Sequence, residues 1–91
     1  MLTADDGDTI AKKLKAEVKK KAANHKIAIV KINGKEVGRF GIRRGSGDLD
    51  HNYIQRQLHM SMREAEEMAT CRKDLAAYEA ILKGNGYYPA D

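Results

Sequence analysis

The sequence predicts a small α+β domain in the order α-β-β-β-α, a curled antiparallel sheet packed on two helices. Three observations predict it. An apolar stripe recurs at helical spacing before residue 24, an Asn33-Gly34 pair separates two β-prone runs, and a second helical stripe runs on from residue 62. With 91 residues the chain is expected to form a single domain over 9–86, with an acidic flexible leader at 1–8 and a tail at 87–91.

The leader is read from Asp5, Asp6 and Asp8, which carry no basic neighbour. Asp8 would then cap the first helix, because its charge suits a helix N-terminus. Ile10, Leu14, Val18 and Ala22 recur every four residues, lysines fill the remaining surface, and Lys13–Glu17 and Glu17–Lys21 are i,i+4 pairs. These features predict a helix over 9–24, ending near Asn24 and His25.

Lys26-Ile27-Ala28-Ile29-Val30-Lys31-Ile32 and Lys35-Glu36-Val37-Gly38-Arg39-Phe40-Gly41-Ile42-Arg43 flank Asn33-Gly34. Both residues of a two-residue hairpin turn need positive φ, and Asn-Gly supplies it. An uninterrupted register predicts Ile27, Ile29, Phe40 and Ile42 on the core face, with Lys31 paired to Glu36. The opposite face would carry Ala28, Val30, Ile32 and Val37 with Lys26, Lys35, Arg39 and Arg43, an apolar centre inside a basic rim.

Arg44-Gly45-Ser46-Gly47-Asp48 reads as a loop. Residues 51–60 read either as a helix capped by Asp48 or Asp50 or, with Ile54, Leu58 and Met60 on one alternating side, as a strand; the strand is favoured, because a third strand gives the hairpin the partner it needs. Ser61-Met62-Arg63-Glu64 has the form of a capping box, so a helix begins at Met62. Met68, Cys71, Leu75, Tyr78 and Leu82 continue it, Asp74 could cap a second helix after a kink near 70–73, and Gly84 or Asn85 would take the left-handed cap.

Charge is unevenly spread. Residues 9–47 hold nine Lys and three Arg against Glu17 and Glu36, whereas residues 48–91 hold five bases against eight acids. Such separation steers an anionic partner to one face. Cys71 is the single cysteine, which cannot form an intrachain disulfide and fits a reducing cytoplasm. No apolar run approaches a membrane span, and the basic helix has too narrow an apolar stripe to lie on a membrane.

No catalytic or metal signature is present. His25, His51 and His59 are not spaced as ligands, no HExxH or CxxC occurs, and Gly38, Gly41, Gly45 and Gly47 match no phosphate loop. No cofactor is implied. The order α-β-β-β-α and the run Val30 to Gly38 resemble the sheet of double-stranded RNA-binding domains. The Ser-Lys-Lys-x-Ala-Lys opening of that family's final helix is absent, and the final helix here is acidic, so the likeness is one of shape and no family is assigned.

The reading that follows is a small non-enzymatic binder of nucleic acid or nucleoprotein. Lys12, Lys15, Lys19, Lys26, Arg39, Arg43, Arg44 and Arg56 would contact phosphates and Tyr53 would stack on a base. The alternative is a protein-binding inhibitor or adaptor of the phage or mobile-element type, acting on nucleic-acid-processing machinery and anchored by Val30, Ile32, Val37, Tyr87 and Tyr88. A ribonuclease toxin using His51 or His59 beside Arg39, Arg43 or Arg56 is a third reading, and it lacks that class's Gly-Ser-His signature. Homodimerisation is a further use for the outer face or the open edge strand.

Overall fold

The computed structural model describes residues 2–22, 25–43, 51, 53–70 and 73–89. Asn24, Arg44, Asp48, Asp50 and Cys71, which enter the readings above, lie outside them. The described chain forms α1 (Ala4–Lys13), β1 (Glu17–Ala22), β2 (His25–Ile32), β3 (Lys35–Arg43), α2 (Ile54–Gln57), α3 (Met62–Ala69) and α4 (Leu75–Asn85). The predicted α+β class and α-β-β-β-α order are observed, with an antiparallel sheet in the order β1-β2-β3.

Two segments exchange roles relative to the sequence reading. Helix α1 begins at Ala4 rather than Thr9, so residues 2–8 are not a loose leader. Thr3 caps it: its hydroxyl accepts the Asp6 N–H at 3.3 Å, and the Asp6 carboxylate accepts the Thr3 N–H at 2.9 Å. Leu2 ahead of that cap is fully buried, and burying a leucine stabilises by about 1.5–3 kcal/mol. The helix ends at Lys13, and Lys15 takes φ 53° in the turn that follows.

Residues 17–22 are therefore an edge strand and not the second half of a helix. Continuing the helix would have buried only Val18 and Ala22 on its stripe. Pairing with β2 instead satisfies backbone groups that a lone hairpin leaves open. The third strand is β1, and residues 51–60 hold a short helix in its place. Ile54 and Leu58, four residues apart, are both fully buried by that helical turn.

The hairpin forms with Asn33 at φ 55° and Gly34 at φ 76°, as its turn requires. Its register is not continuous. Ile32 pairs with Lys35 and Lys31 with Glu36, but Val30 pairs with Gly38, leaving Val37 as a bulge. A one-residue bulge turns every later residue of one strand to the other face. Ala28, Val30 and Ile32 consequently share the core face with Phe40 and Ile42, while Ile27 and Ile29 share the opposite face with Arg39 and Arg43. The assignment of Ile27 and Ile29 to the core, and of Val30 and Ile32 to the outer face, is thus reversed; Phe40 and Ile42 stay inside as expected.

The four helices of the described residues pack on the core face. Ile10, Leu14, Ile54, Leu58, Met68, Tyr78 and Leu82 join Ala28, Val30, Phe40 and Ile42 in one buried cluster. Gly7 lets α1 approach Ile42 and Ile54, and the Gln57 backbone lies directly over Gly38. Tyr78 donates its hydroxyl to the Leu58 carbonyl at 2.9 Å, and burial pushes its phenol well above the ordinary range. The Ser61 capping box forms with Glu64, and Asp74 caps α4 through the Ala77 N–H at 3.0 Å. The helical stripe that starts at Met62 is therefore divided between two separately capped helices, α3 and α4. Gly86, one residue beyond the predicted pair, takes the left-handed cap with φ 79°.

Candidate nucleic-acid interface

Among the described residues no helix covers the second face of the sheet. Strand pairing arranges it in rows that cross all three strands. One row is Glu17, Ile29 and Arg39; the next is Lys19, Ile27 and Gly41; the third ends with His25 and Arg43, and Lys31 with Glu36 lies toward the turn. Glu17, Lys19, Lys31, Glu36, Arg39 and Arg43 are exposed. Ile29 is only 7% exposed although it lies outside the core cluster, so its charged neighbours shelter it.

Ion pairs tie these groups loosely. Lys31 Nζ lies 3.5 Å from Glu17 and Lys19 Nζ lies 3.9 Å from it. Arg39 grips Glu36 with two hydrogen bonds of 2.7 and 3.1 Å, which hold the Glu36 carboxyl below its ordinary range. Lys31 stands opposite Glu36 as expected and its charge helps to lower that carboxyl, while its Nζ is held nearer Glu17. Four cations and two carboxylates leave the face positive by two charges. Exposed pairs of this kind are each worth little and are readily exchanged for other anions.

At the β3 edge Tyr53, at the head of α2, lies against the sheet. Tyr53 donates its hydroxyl to the Gly41 carbonyl, and burial raises its phenol against the opposing pull of the Arg43 charge. Tyr53 and Gln57, at the two ends of α2, with His25, Ile27 and Arg39 from the sheet, line an open hollow of about 370 Å³ over Gly41.

The predicted contact residues divide clearly. Lys19, Arg39 and Arg43 lie on the uncovered face, and Tyr53 lies at its border. Lys12 lies on α1, and Lys15 in the turn after it. Lys26 pairs with Ile42, a core-face residue, and contacts Asp8 of α1 at 3.2 Å. Arg56 is exposed on α2. None of these four joins the face. Sequence reasoning missed Ile27, Ile29, Lys31, His25 and Gln57, whose shared location depends on the bulge and on α2.

The predicted protein anchors fare differently. Val30 is fully buried and Ile32 is 4% exposed, so both are core residues and not surface anchors. Val37 is half-buried in the bulge, with its carbonyl 3.1 Å from His59 Nε2, to which that nitrogen donates. Tyr87 is 53% exposed but lies flat on the His59 ring, with centroids 3.9 Å apart. Tyr88 carries Lys83 Nζ 4.6 Å above its ring, and its hydroxyl accepts from Asn33 at 3.4 Å. His51 is buried, and its Nε2 accepts the Arg43 N–H at 3.1 Å.

Among the described residues no group of three or more His, Cys, Asp or Glu side chains could hold a metal ion, and no helix is long and apolar enough to cross a membrane. No protein-family model, curated protein or solved structure matches the chain.

Proposed function

We propose that the protein is a small non-enzymatic nucleic-acid-binding domain of the cytoplasm that uses the helix-free face of its sheet. The observation that carries this reading is the convergence of Lys19, Lys31, Arg39 and Arg43 around Ile27 and Ile29, with an aromatic ring at the border. Cations that displace counterions from phosphates supply affinity, and the half-exposed Ile27 offers an aliphatic surface to a sugar or base.

A protein-binding adaptor has weaker support. Two of its proposed anchors sit in the core, and both tail tyrosines have partners within the chain. The ribonuclease reading also loses support, because His51 and His59 are engaged by Arg43, Val37 and Tyr87. The test is fluorescence anisotropy of labelled single- and double-stranded oligonucleotides at low salt. Binding that weakens as salt rises supports the reading; no binding at low salt, with a protein captured in nuclease-treated pull-downs, favours the adaptor.

A further inference from the structure

We infer that the hollow over Gly41 seats one unstacked base of a single-stranded nucleic acid. The inference rests on the nucleic-acid reading above and narrows it. Two of its walls close in over residue 41, which has no side chain. A Cβ there would come within 2.9 Å of His25 Nε2 and 3.5 Å of the Tyr53 hydroxyl, so a side chain at 41 would push the His25 ring out of its place in the wall. Glycine weakens a strand interior, and here its backbone φ is not in the left-handed region, so conformation alone does not demand it.

The walls match a base. His25 and Tyr53 present flat rings, Ile27 gives an aliphatic floor beside Gly41, and Gln57 brings an amide that can both donate and accept at a base edge. The cations are placed to hold the chain on either side. Arg39 and Arg43 stand two residues before and after Gly41 on β3, about 13 Å apart at 3.3 Å per residue. A duplex keeps its bases stacked inside and cannot fill such a notch without flipping one out, whereas a single strand offers bases freely.

The deciding comparison uses three fluorescein-labelled probes: oligothymidylate of about 12 nucleotides, within the usual site sizes, an abasic strand of equal length, and a duplex of equal length. The expected result is that oligothymidylate binds on the order of tenfold tighter than the abasic strand, and tighter than the duplex. Gly41→Val should lower oligothymidylate affinity to the level that the abasic strand shows with the wild-type protein, and a far-ultraviolet circular-dichroism spectrum and melt of the variant report that it is folded. A folded Gly41→Val that still prefers oligothymidylate to the abasic strand as the wild type does overturns the base seat. Equal binding of oligothymidylate and abasic strand by the wild-type protein overturns the base seat but leaves the cationic face intact. Tighter binding of the duplex overturns it as well. Failure of every probe to bind at low salt removes the nucleic-acid reading itself.

Discussion

Gly38→Ala tests the bulged register through a single methyl group. In the observed pairing Gly38 lies on the core face opposite Val30, and the 53–58 segment runs over it. A Cβ at this position would overlap the Gln57 carbonyl oxygen and lie 3.2 Å from its carbon and 3.3 Å from Leu58 Cδ2. Carbon–oxygen contacts settle near about 3.3 Å, so the carbonyl must retreat by on the order of 1 Å. The obstacle is backbone, which cannot swing away as a side-chain tip can. Ile54 and Leu58, both fully buried, must move with it. Overpacking of this type costs about 1–3 kcal/mol, and the immovable partner places Gly38→Ala near the upper end. In a domain whose total stability is about 5–14 kcal/mol, that lowers the melting midpoint by roughly 10–20 °C. Gly84→Ala is the matched control. It lies in α4 with nothing within 4 Å of the added Cβ, so it should stabilise by about 0.5–1 kcal/mol. The assay is thermal and urea unfolding followed by far-ultraviolet circular dichroism. A Gly38→Ala melt matching the wild type would refute the packing of α2 on β3 and the register beneath it.

Two further outcomes follow from burial. Val30→Thr hides a hydroxyl in the core and should cost about 1–3 kcal/mol, whereas Ile27→Thr on the half-exposed outer face should cost under about 1 kcal/mol; urea titrations showing the opposite order would restore the unbulged register. The Tyr78 phenol is raised by burial, so the folded state holds its proton above the unfolded value of about 10. Its contribution is complete below that pH and is lost as pH climbs beyond it, at up to about 1.4 kcal/mol per pH unit. Tyr53 adds in the same direction. Stability measured between pH 8 and pH 11, as approximate bounds of the tyrosine titration, should fall less steeply in Tyr78→Phe; identical slopes would contradict the burial.

The parts of the fold written in local chemistry were legible. Asn33-Gly34 specifies its turn because few residues tolerate two successive positive φ values. Ser61 with Glu64, and Asp74, mark helix starts because each supplies a side-chain acceptor for orphaned N–H groups. The first helix misled because Ile10, Leu14, Val18 and Ala22 keep helical spacing past the point where the chain turns. Pairing with β2 outweighs a helix propensity worth only tenths of a kcal/mol per residue.

The bulge had a sequence signal of its own. Ala28, Val30 and Ile32 form an unbroken apolar series, whereas Ile27 and Ile29 run into Lys31. Phe40 and Ile42 fall on the same face as the unbroken series only if one residue of β3 is skipped. The candidate face was legible in part. Arg39 and Arg43 point outward in either register, while Ile27 and Ile29 reach it only through the bulge. The Gly41 hollow depends on His25 of β2, Gly41 of β3 and the α2 pair Tyr53 and Gln57 meeting from three separate segments, which no local pattern encodes.

The most direct test of the cation-lined sheet face compares the Lys19→Glu/Arg43→Glu double variant with Lys12→Glu in oligonucleotide binding across a salt series. Three or four phosphate contacts by the wild-type face predict a log–log slope of about −2 to −3 for a single strand. The double variant should lose most of its affinity and flatten that slope, while Lys12→Glu, altered on the helical side, should retain both. Unchanged binding by the double variant, or a larger loss in Lys12→Glu, would contradict the account.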